Sequence, residues 1–299
     1  MSRPGVVVEL RGRLGNQLFQ YACGSALAAA HDCSVAWTAG VLQRRRDVIL
    51  PAFVPSAREA VPRELHRVAT IGSGSDGRGM VRSSVALAMG RAVEMVGRAG
   101  GRPLLAAPRS ISAFDPAVLQ ARPPCLLRGW FQNEHYFAAH ADAVEQSIVL
   151  PDPRLPDDLP RPAVGLLFRR GDYNASRDAL SLEYYERALH ELCREVDVAS
   201  VVVQADDAAF ARLAVDWLAR FVPTVVDGTA SAPGAHEAMA MMASCDHWIV
   251  ANSTFAWWCA WLGERRRRRD GARAIVLAPQ RWYRGEDDVV PPRWRRVAP

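Results

Sequence analysis

Short β-branched runs alternating with helical stretches predict an α/β fold for this chain. Three observations carry the prediction. The chain opens on a strand, turn, helix, strand pattern. Its second half repeats strand and helix with regularity. At 299 residues, and roughly 150 residues per domain, its length favours two domains over one.

VVVEL (6–10) is a strand, GRLGNQ (12–17) a glycine-bearing turn, and Leu18 to Ala30 a helix so apolar that most of its sides must be buried. SVAW (34–37) is the next strand, giving the βαβ opening of a parallel sheet. Residues 40–110 read as variable loops and short helices, with RRR at 44–46, a Gly/Ser-rich stretch at 71–79 and an amphipathic helix from Val81 to Val96. Residues 126–137 read as a strand entering a loop and helix, and the proline-rich, acidic 151–162 as a linker. After it come strands at 163–168, 200–204, 224–227, 247–251 and 274–278, with four helices between them. The first carries Leu182, Tyr185, Leu189, Leu192 and Val196 at helical spacing; the others cover 207–220, 235–245 and 253–263. Five strands and four helices make a doubly wound domain. The expected domains are 1–155 and 156–299.

Composition narrows the function classes. With 49% hydrophobic and 23% charged residues the chain is an ordinary globular one, so disorder as its main state is excluded. All 37 basic residues are Arg, and the net charge is +5. That mild excess suits anionic small molecules, where arginine offers a planar fork of donors. A nucleic-acid partner is not expected, because no dominant basic face interleaved with aromatics is visible. Six scattered cysteines without a CxxC pair read as small buried hydrophobes, not as zinc ligands or disulfides. The apolar part of MSRPGVVVEL is too short for a signal peptide, and no run reaches the roughly 18 apolar residues of a membrane span. The expected location is cytoplasmic. The run Arg265 to Arg269 reads as a solvated helix end, with peripheral contact to anionic lipid as its alternative.

Ligands of open α/β sheets bind outside the carboxyl ends of the strands. There the sequence places Arg169-Arg170, Asp206-Asp207, Asp227, Asn252-Ser253-Thr254 and, in the first half, the Gly12–Gln17 turn. Arg169 and Arg170 can fork onto phosphate oxygens, and a helix opening at Asn252 to Thr254 offers free N–H groups to an anion. The plainer readings are helix caps for Asn252 to Thr254 and Asp206-Asp207, and solvated arginines. No P-loop and no GxGxxG is present. Trp248, Trp257, Trp258 and Trp261 fit core packing better than a stacking wall for a sugar or base.

Four segments, GRLGNQLFQYA (12–22), GWFQNEHYF (129–137), FRRGDY (168–173) and ANSTFAWWCAWLG (251–263), resemble the bacterial α-1,2-fucosyltransferases of glycosyltransferase family 11. The resemblance implies a GT-B fold, two Rossmann-like domains facing across a cleft. The first would be the acceptor side and the second would bind the GDP-sugar. It implies inverting transfer of L-fucose from GDP-β-L-fucose to a galactoside 2-hydroxyl without a metal. Alternatives are another GDP-deoxysugar, or a non-catalytic GDP-sugar-binding protein. Arg169 would neutralise the leaving GDP and Arg170 would support it. Asn16 and Gln17 would approach the donor from the first domain. Asn252, Ser253 and Thr254 would hold phosphate, Asp206 and Asp207 would contact guanosine, and Phe255 would line the base pocket. The general base stays open between Asp172, the acceptor-side Glu134 and His135 near Gln132, and the donor phosphate itself. One departure is Leu167, which stands where the family motif carries a histidine.

Overall fold

The structure is a computed structural model that describes residues 4–39, 47–61, 64, 105–106, 113–152, 155–170, 179–232, 234–283 and 289–298. The helix read at 81–96, the stretch at 71–79 and Asp172 lie outside the described residues. The chain divides into two units, Met1–Val149 and Leu150–Pro299, parting at the start of the proline-rich stretch.

Unit 1 holds a parallel sheet of β1 (Pro4–Leu10), β2 (Ser34–Ala39), β3 (Leu105–Ala106) and β4 (Cys125–Leu127), in the order β2-β1-β4-β3. Val6, Val7 and Val8 pair on one side with Val35, Ala36 and Trp37 and on the other with Cys125, Leu126 and Leu127. The central strand is thus paired along both edges, and because the successive residues Val6, Val7 and Val8 are all buried, both its faces are covered and its β-branched run needs no alternation. Helix α1 (Leu14–Ala30) follows β1 and is buried over most of its length, as its apolar composition demands. It starts at Leu14 and not Leu18, because the glycine turn tightens directly into the first helical turn. Short helices α2 (Leu50–Phe53) and α3 (Ala141–Ser147) complete the described regular helices. The helix read at the end of 126–137 is instead a 3₁₀ turn, Glu134–Tyr136, with a second, Ala138–His140, after it.

Unit 2 holds β5 (Ala163–Phe168), β6 (Ser200–Ala205), β7 (Thr224–Asp227), β8 (His247–Ile249), β9 (Val276–Pro279) and β10 (Arg295–Val297). The order is β10-β9-β8-β5-β6-β7, and each neighbouring pair is parallel. Helices α4 (Leu182–Cys193), α5 (Ala208–Leu218), α6 (Gly228–Ser231), α7 (Ala235–Ala243) and α8 (Thr254–Arg269) connect them. Val164, Leu166 and Phe168 of β5 pack with Tyr185, Leu189 and Leu192 of α4 and with Ala211, Ala214 and Leu218 of α5. Leu182 opens α4 and is 38% exposed, so it does not belong to the buried face read from the sequence.

The tryptophans are core. Trp248, Trp257, Trp258 and Trp261 are fully buried, the last three ring against ring at 5.1 to 6.0 Å between centroids. The indole N–H groups of Trp248 and Trp257 donate to the carbonyls of Met242 and Val289, at 2.7 and 2.9 Å. Four cysteines are buried, Cys33 is half-buried and Cys193 exposed, and all six are free thiols. Burial pushes the Cys125 and Cys245 thiols up to about 12. No helix of the described residues is long and apolar enough to cross a membrane.

Candidate active site

In unit 2 the chain builds β5, β6 and β7 outward in one direction, then returns to lay β8, β9 and β10 on the other side of β5. The reversal falls between β5 and β8. Such a switch point leaves a crevice at the carboxyl ends of the two strands, because their outgoing connections diverge to opposite faces of the sheet. Leu166 is paired with Ile249, and Arg169 and Asn252 each lie three residues further on. Both therefore leave the sheet at the same edge, from adjacent strands.

Arg169 is held there by Asp206, the residue after β6. Its Nη1 lies 2.7 Å from Asp206 Oδ2, with the two side chains 15% and 20% exposed. The other carboxylate oxygen accepts the Arg170 backbone N–H at 2.8 Å. One carboxylate thus fixes both the guanidinium and the backbone beneath it, and the low exposure makes this stronger than a surface pair. The Tyr185 hydroxyl reaches the Arg169 backbone, and burial pushes its phenol pKa up.

The Arg170 side chain turns toward α5. Its Nη1 donates to the Leu180 carbonyl at 3.3 Å, and its guanidinium lies 4.6 Å from the Phe210 ring centroid. That stacking packs Arg170 against α5. Asp207 lies next to the Asp206 anchor. Its Oδ1 accepts the N–H groups of Ala209 and Phe210 at 2.9 and 3.0 Å, so it caps α5.

The start of α8 differs. Ser253 occupies the cap position in an extended conformation, yet makes no side-chain capping bond. A 16-residue helix thereby presents its first N–H groups at the crevice without a side-chain cap. Asn252 is 7% exposed, with Nδ2 3.5 Å from the Trp282 carbonyl. Thr254 and Phe255 form the first, half-buried turn. Leu167 is buried in β5, on the face it shares with Gly165, against which Met242 of α7 packs.

Unit 1 carries its own rim at the carboxyl end of β1. Gly12 has φ +71°, and a Cβ there would lie 2.5 Å from Asn16 Nδ2 and 3.0 Å from the Trp130 ring. Only glycine fits that turn without strain. Asn16 Oδ1 accepts from Gln132 Nε2 at 2.8 Å, which joins the first motif to the second. Gln17 is corrected to scaffold. Fully buried, it donates to the carbonyls of Gly12 and Asp47 and accepts from the N–H groups of Ile49 and Leu50. Four bonds exhaust its amide, leaving none for a ligand. His135 is exposed, and its Nδ1 lies 2.8 Å from Asn133 Oδ1. Because that oxygen can only accept, Nδ1 carries the proton of the neutral ring and Nε2 keeps its lone pair. Glu134 is half-buried at the start of the same 3₁₀ turn.

Two features escaped the sequence reading. Glu9 of β1 is 3% exposed and ion-paired with Arg11 and with Arg128, the latter at 2.9 Å. A carboxylate inside an apolar strand was its only sequence signal. Gln20, also fully buried, accepts the Arg11 N–H and donates to the Gly129 carbonyl at 3.1 Å. Among the described residues, no group of three His, Cys, Asp or Glu side chains is placed to hold a metal.

An α-1,2-colitosyltransferase of Escherichia coli is 26% identical over 190 residues, covering 56% of this chain and 61% of the relative. The O-antigen biosynthesis glycosyltransferase WbnK of Escherichia coli is 29% identical over 128 residues, covering 41% of this chain and 39% of the relative. The chain thus matches less than two thirds of either relative's length. Among solved structures, a mutant of FUT1 from Arabidopsis thaliana in complex with GDP superposes with a TM-score of 0.53 at 11% identity, over 97% of this chain and 72% of that one. That likeness is one of fold, and the fold is of the GT-B type. The model of glycosyl transferase family 11 matches residues 117–288, more than half of the chain. The stretch takes in the Gln132 loop, Arg169 with its Asp206 anchor, and the opening of α8, and the chain belongs to glycosyl transferase family 11.

Proposed function

We propose that this protein transfers L-fucose from GDP-β-L-fucose to the 2-hydroxyl of a galactoside within a glycan, with inversion at the anomeric carbon. One observation carries the reading: a guanidinium locked by Asp206 stands where the strand order reverses, beside an uncapped helix N-terminus. In a displacement at the anomeric carbon the bond to the diphosphate breaks and negative charge builds on the leaving oxygen. Arg169 and the α8 N–H groups are preorganised to receive it, so their interaction strengthens in the transition state. Unit 2 is then the donor unit, and unit 1 the acceptor side.

The acceptor hydroxyl must lose a proton. Nε2 of His135 is an available acceptor, with Glu134 beside it, and Asp172 and the departing phosphate are the remaining candidates. In this reading the arginine supplies the charge compensation that a divalent cation supplies elsewhere. Activity is therefore expected to survive exhaustive chelation with EDTA, and a chelator-sensitive rate restored by Mg²⁺ or Mn²⁺ would reject that part. A second reading, transfer of a related deoxysugar, is favoured by the colitosyltransferase relative. Mass spectrometry of donor hydrolysis and transfer across a panel of GDP-sugars decides between them. Turnover of GDP-fucose above all others supports the first reading. GDP-sugar binding with no product from any donor would contradict both.

A further inference from the structure

At the amino edge of the unit 2 sheet, opposite the strand ends that carry Arg169, three guanidiniums crowd one carboxylate. Arg161 precedes β5, Asp246 precedes β8, and Arg266 and Arg267 lie in the last turns of α8. Arg161 Nη2 and Arg267 Nη1 both donate to Asp246 Oδ1, at 2.7 and 2.9 Å. Asp246 Oδ2 is already taken by the Ala163 N–H at 2.7 Å. Arg266 finds only a backbone oxygen, the Cys245 carbonyl at 2.9 Å. The Nε groups of Arg266 and Arg267 are buried without a hydrogen-bond partner among the described residues. Three positive charges thus share one buried negative charge, with Asp270 at the end of α8 the next carboxylate. Desolvation, then repulsion from Arg161, lowers the Arg266 pKa, as expected of a site with too few anions.

The run from Arg265 to Arg269 therefore does not act as one patch. Arg265 lies over the Trp261 ring at 4.8 Å, Arg266 and Arg267 turn into the cluster, and Arg268 and Arg269 are exposed. Arg161, 41% exposed, and Arg267, 25% exposed, keep the cluster within reach of solvent. Partial burial matters, because a half-desolvated guanidinium binds an anion more strongly than an exposed, salt-screened one.

We propose that Arg161, Arg266 and Arg267 form a second anion site, built for a phosphate-class group, whether free phosphate or the headgroup of an anionic phospholipid. It lies on the edge opposite the donor crevice, so its occupant does not compete with the donor.

The test uses the full chain in an Arg169→Ala background, which weakens phosphate binding at the other edge. Inorganic phosphate is titrated calorimetrically, and vesicles of phosphatidylcholine with and without phosphatidic acid are co-sedimented. The double variant Arg161→Gln/Arg267→Gln is compared with Arg268→Gln/Arg269→Gln, which removes equal charge outside the cluster. The first pair is expected to weaken binding about tenfold or more, the loss of two charge-assisted contacts, and the exposed pair by less than about threefold. Saturable phosphate binding assigns a soluble ligand, and binding to phosphatidic acid vesicles alone assigns a lipid. The proposal is overturned if neither probe binds, or if both pairs weaken binding equally. Should the cluster pair fail to fold, by near-UV circular dichroism, Arg266→Gln decides, and unchanged phosphate affinity there overturns it.

Discussion

At the scale of the residue, the two adjacent arginines after β5 have separate duties. Arg169 stays at the crevice on the Asp206 carboxylate, while Arg170 stacks on Phe210. Arg169→Ala is expected to cut turnover about a hundredfold or more, the scale of losing one transition-state donor. Asp206→Asn keeps the shape but weakens the anchor, so kcat should fall about tenfold with little change in KM, as expected of lost orientation rather than lost binding. Steady-state kinetics of both variants checks the pair, and a normal kcat for either contradicts its role. Leu167 belongs to the same scale. Because it is 2% exposed in β5, Leu167→His places a polar ring in an apolar layer and should cost about 1–3 kcal/mol of stability in a denaturant melt. The arginines and the helix start were legible in the sequence because strand ends advertise themselves. The Asp206 anchor and the four-bonded Gln17 were not, because the same residue types serve a ligand or a backbone equally well; the cap at Asp207 was the plainer of its two readings.

At the scale of the element, α8 does most to shape the site. Its apolar half buries three indoles under the sheet and its basic half carries on past Gly263, where the sequence suggested an end. Gly263 is no stop signal but a point of contact. A Cβ there would lie 2.1 Å from the Trp248 ring and 2.7 Å from the Ala243 carbonyl. Gly263→Ala, though better for a helix by propensity, should therefore destabilise by about 1–3 kcal/mol through overpacking, measured by chemical denaturation. A stabilised variant would contradict that contact. His247 in β8 gives a pH test. It is 5% exposed, and its Nδ1 accepts the Ile275 N–H at 3.1 Å, which requires the neutral ring. Desolvation lowers its folded pKa below the ordinary 6.5. The unfolded chain then binds the proton more readily, so this contribution is whole above about pH 6.5 and is lost as pH falls below it. Melting of the wild type between pH 7.5 and 5 should show the loss, and His247→Gln should flatten it.

At the scale of the whole molecule, both units place chemistry at the carboxyl ends of parallel strands, Gly12 and Asn16 in the first and Arg169 and Asn252 in the second. That organisation was largely legible, because alternating β-branched runs and amphipathic helices fix which end of each strand a loop leaves. β10 escaped because RRV at an edge carries no apolar pattern, and the Glu9 cluster because its partner Arg128 lies far along the chain. The account rests on a guanidinium at the switch point holding a diphosphate. Calorimetric binding of GDP and of guanosine to wild type and Arg169→Ala measures that most directly. The variant should lose about tenfold or more in GDP affinity while guanosine binds as before. Equal GDP affinity in the two proteins would contradict it.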